Sequence, residues 1–118
     1  MTTITLNPTK NSLWNETIQL LTDVYNSLKL SRDKNRKMEI RRVSLSISSN
    51  IFNGLNRSNR KDFLLYLANA NGSCTELQLL VHRAVAEKSI DKIAAVRILR
   101  KLQELSEQLY EMALVRSA

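Results

Sequence analysis

Between Phe63 and Ala84 the apolar and small residues fall at Phe63, Leu67, Ala70, Cys74, Leu77, Val81 and Ala84, alternating steps of four and three that only a helix gathers onto one face. Asn59 stands ahead of this run as a cap, and Asp62 three residues later suits the positive end of a helix. The same rhythm returns at Ala95, Ile98, Leu102, Leu105, Leu109 and Met112, with Ser89 expected as the cap and Asp91 in its first turn. A second helix is expected over 34–55, with Ile40, Val43, Ile47, Ile51 and Gly54 on one stripe and Asn53-Gly54 and the 56–59 turn ending it. The first runs from about Ser12 to Leu30, carried by Trp14, Thr17, Ile18, Leu21, Val24, Tyr25 and Leu28. With two Gly, one Pro and 5% aromatic residues, the chain is poor in the turn residues that sandwiches and barrels need. Its 118 residues fit one domain. The expectation is an all-α protein: a flexible segment over 1–11, then an antiparallel up-down-up-down four-helix bundle over 12–118.

Two helices carry a second apolar stripe. Met38, Leu45 and Phe52 lie about 140° around the second helix from Ile40 and Ile47, and Leu65, Gly72 and Leu79 lie nearly opposite Phe63 and Val81 on the third. One core cannot face both ways. Either a helix is central or these residues cap an edge, or they form a subunit interface; the interface is the reading adopted, with Met38, Leu45, Phe52, Leu65 and Leu79 as its residues.

Charge is concentrated. Nine basic residues (Arg32, Lys34, Arg36, Lys37, Arg41, Arg42, Arg57, Arg60, Lys61) stand against two acids, Asp33 and Glu39, in the 32–61 window, and this excess equals the +7 net charge of the whole protein. A charge run is usually a solvated face, but a surplus so confined creates a salt-sensitive, sequence-independent attraction to phosphate backbones. Residues 32–37 and 57–61 mark opposite ends of the second helix, about 30 Å apart, which allows two patches. Phe52 and Phe63 read as interface or core, so no stacking platform is expected and binding should be nonspecific.

Catalytic chemistry is hard to assemble. His82 follows core Val81 and is expected at the surface, Cys74 sits on the core stripe, and one Cys with one His cannot make an ordinary zinc site. Gly72-Ser73 lacks phosphate-loop spacing and falls mid-helix, where a glycine suggests close approach of another backbone. Asn50 and Glu76 border apolar faces and are expected either in a buried hydrogen-bond network setting register between helices two and three or in a functional site. The 1–10 stretch has neither a basic start nor an apolar run, and no segment reaches the roughly 20 apolar residues of a membrane span, so a cytoplasmic location is expected.

Arg41-Arg42, Ser46-Ile47, Asn50-Ile51, Gly54, Arg57, Asp62-Phe63, Tyr66-Leu67, Ala70, Gly72-Ser73 and Glu76-Leu77 together resemble, in register, the pattern of the four-helix-bundle proteins encoded in intervening sequences of bacterial 23S ribosomal RNA genes. Trp14 also has a usual counterpart there. Two departures stand out: Ser48 replaces an expected proline, and Phe52-Asn53 replaces Ala-Glu, which removes a negative charge from the basic quarter. The resemblance implies a non-enzymatic protein without cofactors. It also includes accessory variability proteins of diversity-generating retroelements, which look like basic homopentamers that bind nucleic acid and the element's reverse transcriptase. Arg41, Arg42 and Arg57 coincide with family positions, which leaves open whether they bind phosphate or serve salt bridges, for instance to Glu76 or Asp62. The charge favours the nucleic-acid-binding branch; a structural or protein-interaction module is the alternative.

Overall fold

A computed structural model describes residues 8–117, and among them every regular element is a helix: α1 Pro8–Leu28, α2 Lys34–Leu55, α3 Arg60–Ala86 and α4 Lys92–Ser117. Residues 1–7 of the expected flexible segment lie outside the described residues. The remainder of that segment belongs to α1, which opens on Pro8, a residue suited to the first helical position because it has no N–H to satisfy there.

Short polar side chains set the starts. Asp33 accepts the Arg36 amide at 3.0 Å to cap α2, and Asn59 accepts the Asp62 amide at 3.2 Å to cap α3. At α4 the expected cap was Ser89; the cap is Asp91, whose carboxylate accepts the amides of Ile93 (3.1 Å) and Ala94 (3.2 Å). Ser89 is instead occupied in ending α3, its amide donating to the Ala84 carbonyl at 2.8 Å. Each connector is only four or five residues, so successive helices must be spatial neighbours.

Neighbour contacts follow a cycle. α1 packs on α2 and α4, α3 packs on α2 and α4, and neither diagonal pair approaches at the backbone. Cross-pairs count down one helix as they climb the other: Trp14 meets Phe52 and Tyr25 meets Arg41, while Arg36 meets Glu87, Arg42 meets Glu76 and Ser46 meets Ser73.

The core contains the expected stripes of α2 and α3 in full, including Cys74, and that of α4, including Leu102, except for Met112, which is half-buried. Each of the buried Leu, Ile, Val and Phe side chains contributes roughly 1.5–3 kcal/mol by leaving water. Two buried hydroxyls bond within their own helices, Thr17 to the Leu13 carbonyl (2.8 Å) and Ser44 to that of Ile40 (2.7 Å), so neither is orphaned. α1 departs furthest from expectation. Its core face is Leu13, Thr17, Leu20, Val24 and Leu28, whereas Ile18 and Tyr25 are exposed and Trp14 and Leu21 are half-buried. The helix stops at Leu28, leaving Leu30 almost wholly in solvent.

Candidate nucleic-acid interface

α2 supplies five of the nine expected basic residues, Lys34, Arg36, Lys37, Arg41 and Arg42, and its neighbours decide what each can do. On the side toward α3, the Arg36 guanidinium forks onto Glu87, Nε donating at 3.1 Å and Nη2 at 2.5 Å, with Glu39 at 3.5 Å from Nη1. Its side chain is only 14% exposed, and the Glu87 carboxylate raises its proton affinity further. Arg36 is thereby spent on holding α2 to the end of α3. Arg42 pairs with Glu76 at 3.2 Å but both remain largely in water, so this guanidinium keeps donors for a second acceptor.

Arg41 points the other way, over the Tyr25 ring at 5.9 Å, and Lys29 approaches the same ring at 5.5 Å. A half-exposed aromatic with two cations near its ring is thus present beside α2, a feature the sequence did not point to. The Tyr25–Lys29 spacing of four was visible in the sequence; Arg41 joins only through the fold. At the far end of α2, Arg57 lies over the Tyr66 ring at 5.3 Å and donates to its hydroxyl at 3.3 Å, the partner being this phenol rather than Asp62.

Arg32, Lys34, Arg60 and Lys61 are exposed and Lys37 is half-buried. They divide as the spacing suggested, Arg32, Lys34 and Lys37 at one end of α2 and Arg60 and Lys61 at the other. The α3–α4 connector adds Lys88 to the first group, a residue outside the basic window: with Arg32 it lines one cleft of about 590 Å³.

The second stripes are in solvent. Met38, Leu45, Phe52, Leu65 and Leu79 are between 43% and 69% exposed, so no helix of the isolated chain is central. Phe52 is partly covered by Trp14, ring centroids 5.8 Å apart and tilted by 56°. Trp14, Ile18, Leu21 and Tyr25, four of the residues whose spacing pointed to the first helix, therefore border α2 and extend its exposed apolar face across two helices.

Two further expectations change. A Cβ on Gly72 would meet nothing within 4 Å, so this glycine marks an open notch between Leu65 and Leu79; the close approach occurs at Gly54, where a Cβ would lie 3.0 Å from that of Tyr66. The register network between α2 and α3 is built from Asn50, Ser46 and Ser73: the Asn50 amide donates to the Ser46 carbonyl at 2.8 Å, and the two serine hydroxyls meet at 2.9 Å. Glu76 takes no part, being engaged with Arg42 at the surface. His82 is exposed, and burial pushes the Cys74 thiol up to about 12, far from a reactive thiolate. Among the described residues no group of His, Cys, Asp and Glu could hold a metal, and no helix is long and apolar enough to cross a membrane.

The family model described as 23S rRNA-intervening sequence protein matches residues 9–111. A crystal structure of a protein with unknown function from the S23 ribosomal protein family of Bacteroides thetaiotaomicron superposes with a TM-score of 0.81 at 17% identity, covering 89% of this chain and 97% of that one. At that identity the likeness concerns the fold alone. No curated protein matches.

Proposed function

We propose, from the premise that this chain belongs to the family of 23S rRNA-intervening sequence proteins, that it is a non-enzymatic, cytoplasmic, antiparallel up-down-up-down four-helix bundle that assembles into a ring and holds nucleic acid nonspecifically. The observation that carries the binding is that Arg32, Lys34 and Lys61 stand exposed at the two ends of α2 with no ion pair among the described residues. Arg41 and Arg42 add cations along the same helix, and Tyr25 offers a ring on which an unpaired base can stack. Arg36 is removed from the binding set, because its pair with Glu87 already uses its fork.

Assembly follows from two unlike apolar faces on one protomer. The α1–α2 face (Trp14, Ile18, Met38, Leu45, Phe52) and the outer face of α3 (Leu65 and Leu79 around the Gly72 notch) are not copies of each other, so their pairing is head to tail, and such a contact closes into a ring when the rotation permits. Family resemblance makes five the expected number. A ring would repeat each basic patch around the axis and multiply its field.

Two measurements test this reading. Light scattering should give a multiple of 13.5 kDa, reduced by either Leu45→Glu or Leu79→Glu; a monomeric wild type overturns the ring. Binding to arbitrary duplex DNA should weaken with salt at a slope of about −0.9 per phosphate contact. Reversing Lys34, Lys37 and Lys61 to Glu should abolish most of it at unchanged helicity, since a carboxylate at position 34 suits a helix start. Retention by the triple variant refutes the binding reading.

A narrower form is accessory to a retroelement reverse transcriptase, tested by a neighbouring reverse transcriptase gene with template and variable repeats. The second reading is a structural or protein-interaction module, favoured by the commitment of Arg36 to an internal pair. A ring without affinity for nucleic acid at low salt would establish it.

A further inference from the structure

At the end of the bundle where the α1–α2 and α3–α4 connectors meet lies the cleft of about 590 Å³ lined by Arg32 and Lys88. Lys88 has φ of 60°, the left-handed region, and is the one non-glycine residue among those described with positive φ. It occupies the position after the α3 C-cap in a complete Schellman turn, its own amide donating to the Val85 carbonyl (3.0 Å) and that of Ser89 to Ala84 (2.8 Å). Glycine is the usual residue there because a Cβ is disfavoured. The chain instead holds a long cation at this position, against the backbone's preference, beside a second cation.

Two carboxylates share the lining and bring its formal charge to zero, but both are turned to helix ends. Asp33 and Asp91 are the caps of α2 and α4, bonded to amides at 3.0–3.2 Å and set against the positive ends of those helices. Arg32 and Lys88 make no ion pair or hydrogen bond through their side chains among the described residues, and the Ser89 hydroxyl is likewise without an internal partner. Leu30, 94% exposed, supplies an apolar wall.

We propose that this cleft binds the terminal phosphate monoester of a nucleotide, with Arg32 and Lys88 on the phosphate oxygens and Leu30 against the nucleoside. A monoester approaches two negative charges near neutral pH, whereas an internal phosphodiester carries one, so two cations lining one open cleft discriminate in favour of an end. The source is either a phosphorylated strand end or a free mononucleotide; the strand-end case rests on the nucleic-acid reading above.

The test compares one short single-stranded DNA carrying a 5′-phosphate with the same strand carrying a 5′-hydroxyl, and adds AMP alone, followed by NMR shifts at residues 30–33 and 88–91. The phosphorylated strand should bind roughly tenfold tighter, the size of a lost charge-assisted contact, and Arg32→Gln and Lys88→Gly should each erase the difference. Lys88→Gly is the sharper variant, because it relieves the backbone and should leave thermal stability equal or higher, so a loss of preference cannot be blamed on misfolding. Equal binding of the two strands with AMP silent overturns the cleft while leaving nonspecific binding intact. If neither strand binds but AMP shifts the cleft residues, the nucleic-acid reading fails and the site takes the free nucleotide; if nothing binds, both fail.

Discussion

The seam between α2 and α3 and the seam between α1 and α2 are built on different physics. The first is the most extensive helix contact among the described residues and is pinned at three heights: Arg36 on Glu87 at one end, Ser46 on Ser73 in the middle, and the close approach of Gly54 to Tyr66 at the other. The second rests on side chains that are half outside, Trp14 on Phe52 and Tyr25 under Arg41, and it leaves an apolar face uncovered. A seam with fixed partners at three heights allows one register, whereas a seam of broad apolar contact leaves surface available to another protein.

The largest expected effect comes from forcing the pinned seam apart. Gly54→Leu places a branched side chain where even a methyl would sit 3.0 Å from the Tyr66 Cβ, an atom fixed to the α3 backbone. A loss of about 2–3 kcal/mol is expected, read from urea unfolding at one fixed protomer concentration. Wild-type stability in this variant would mean that α2 and α3 do not approach as described.

Cys74, beneath that seam, offers a chemical probe. Its thiol is raised by burial to about 12 from 9.0, so the folded state prefers the neutral form more than the unfolded state does. The stability it contributes is complete below pH 9 and is lost as pH rises from there through 12. Cys74→Ala should flatten that alkaline decline, compared in paired melts, and the native thiol should stay unalkylated at neutral pH. Rapid alkylation of the folded protein would show that the helices part far more readily than the packing implies.

Salt separates the seams. Double-mutant cycles should give Trp14–Phe52 a coupling of about 1 kcal/mol that does not change with ionic strength, as expected of tilted aromatic rings. The Arg36–Glu87 coupling should shrink steadily as sodium chloride is added, because it is electrostatic and close to solvent. Two couplings with the same salt response would erase the distinction.

How much of this was legible in the sequence also divides by seam. The α3 stripe was legible because its four-and-three rhythm runs unbroken over six steps, although Leu65 and Leu79 stand between its members, and all seven of its residues are buried. In α1 two interleaved sets satisfy helical spacing, 13/17/20/24/28 and 14/18/21/25; the second contains the aromatic residues, and only the placement of α2 reveals that it lines an open face. The partners of Arg36 and Arg42 lie 51 and 34 residues away, and composition cannot match one arginine to one glutamate over such separations. Which glycine is crowded was equally hidden, since crowding belongs to the neighbouring helix. The basic window divides between the two ends of α2, and Lys88 joins one of them through a connector that lies 27 residues beyond Lys61 in the chain.

The smallest expected effect is a gain, and it joins stability to assembly. A Cβ at Gly72 meets no atom within 4 Å, and the residue sits in the interior of α3, so Gly72→Ala should stabilise a dissociated protomer by under about 1 kcal/mol through helix propensity alone. In a ring that uses the outer face of α3, the same methyl would enter the notch between Leu65 and Leu79 that a side chain of the next protomer fills. Stability should therefore rise in dilute solution, where protomers separate, and the gain should vanish or reverse at concentrations where the ring forms. Unfolding curves at two concentrations, with light scattering on each, provide the check. A gain of equal size at both would leave the notch facing water and move the ring contact to the α1–α2 face.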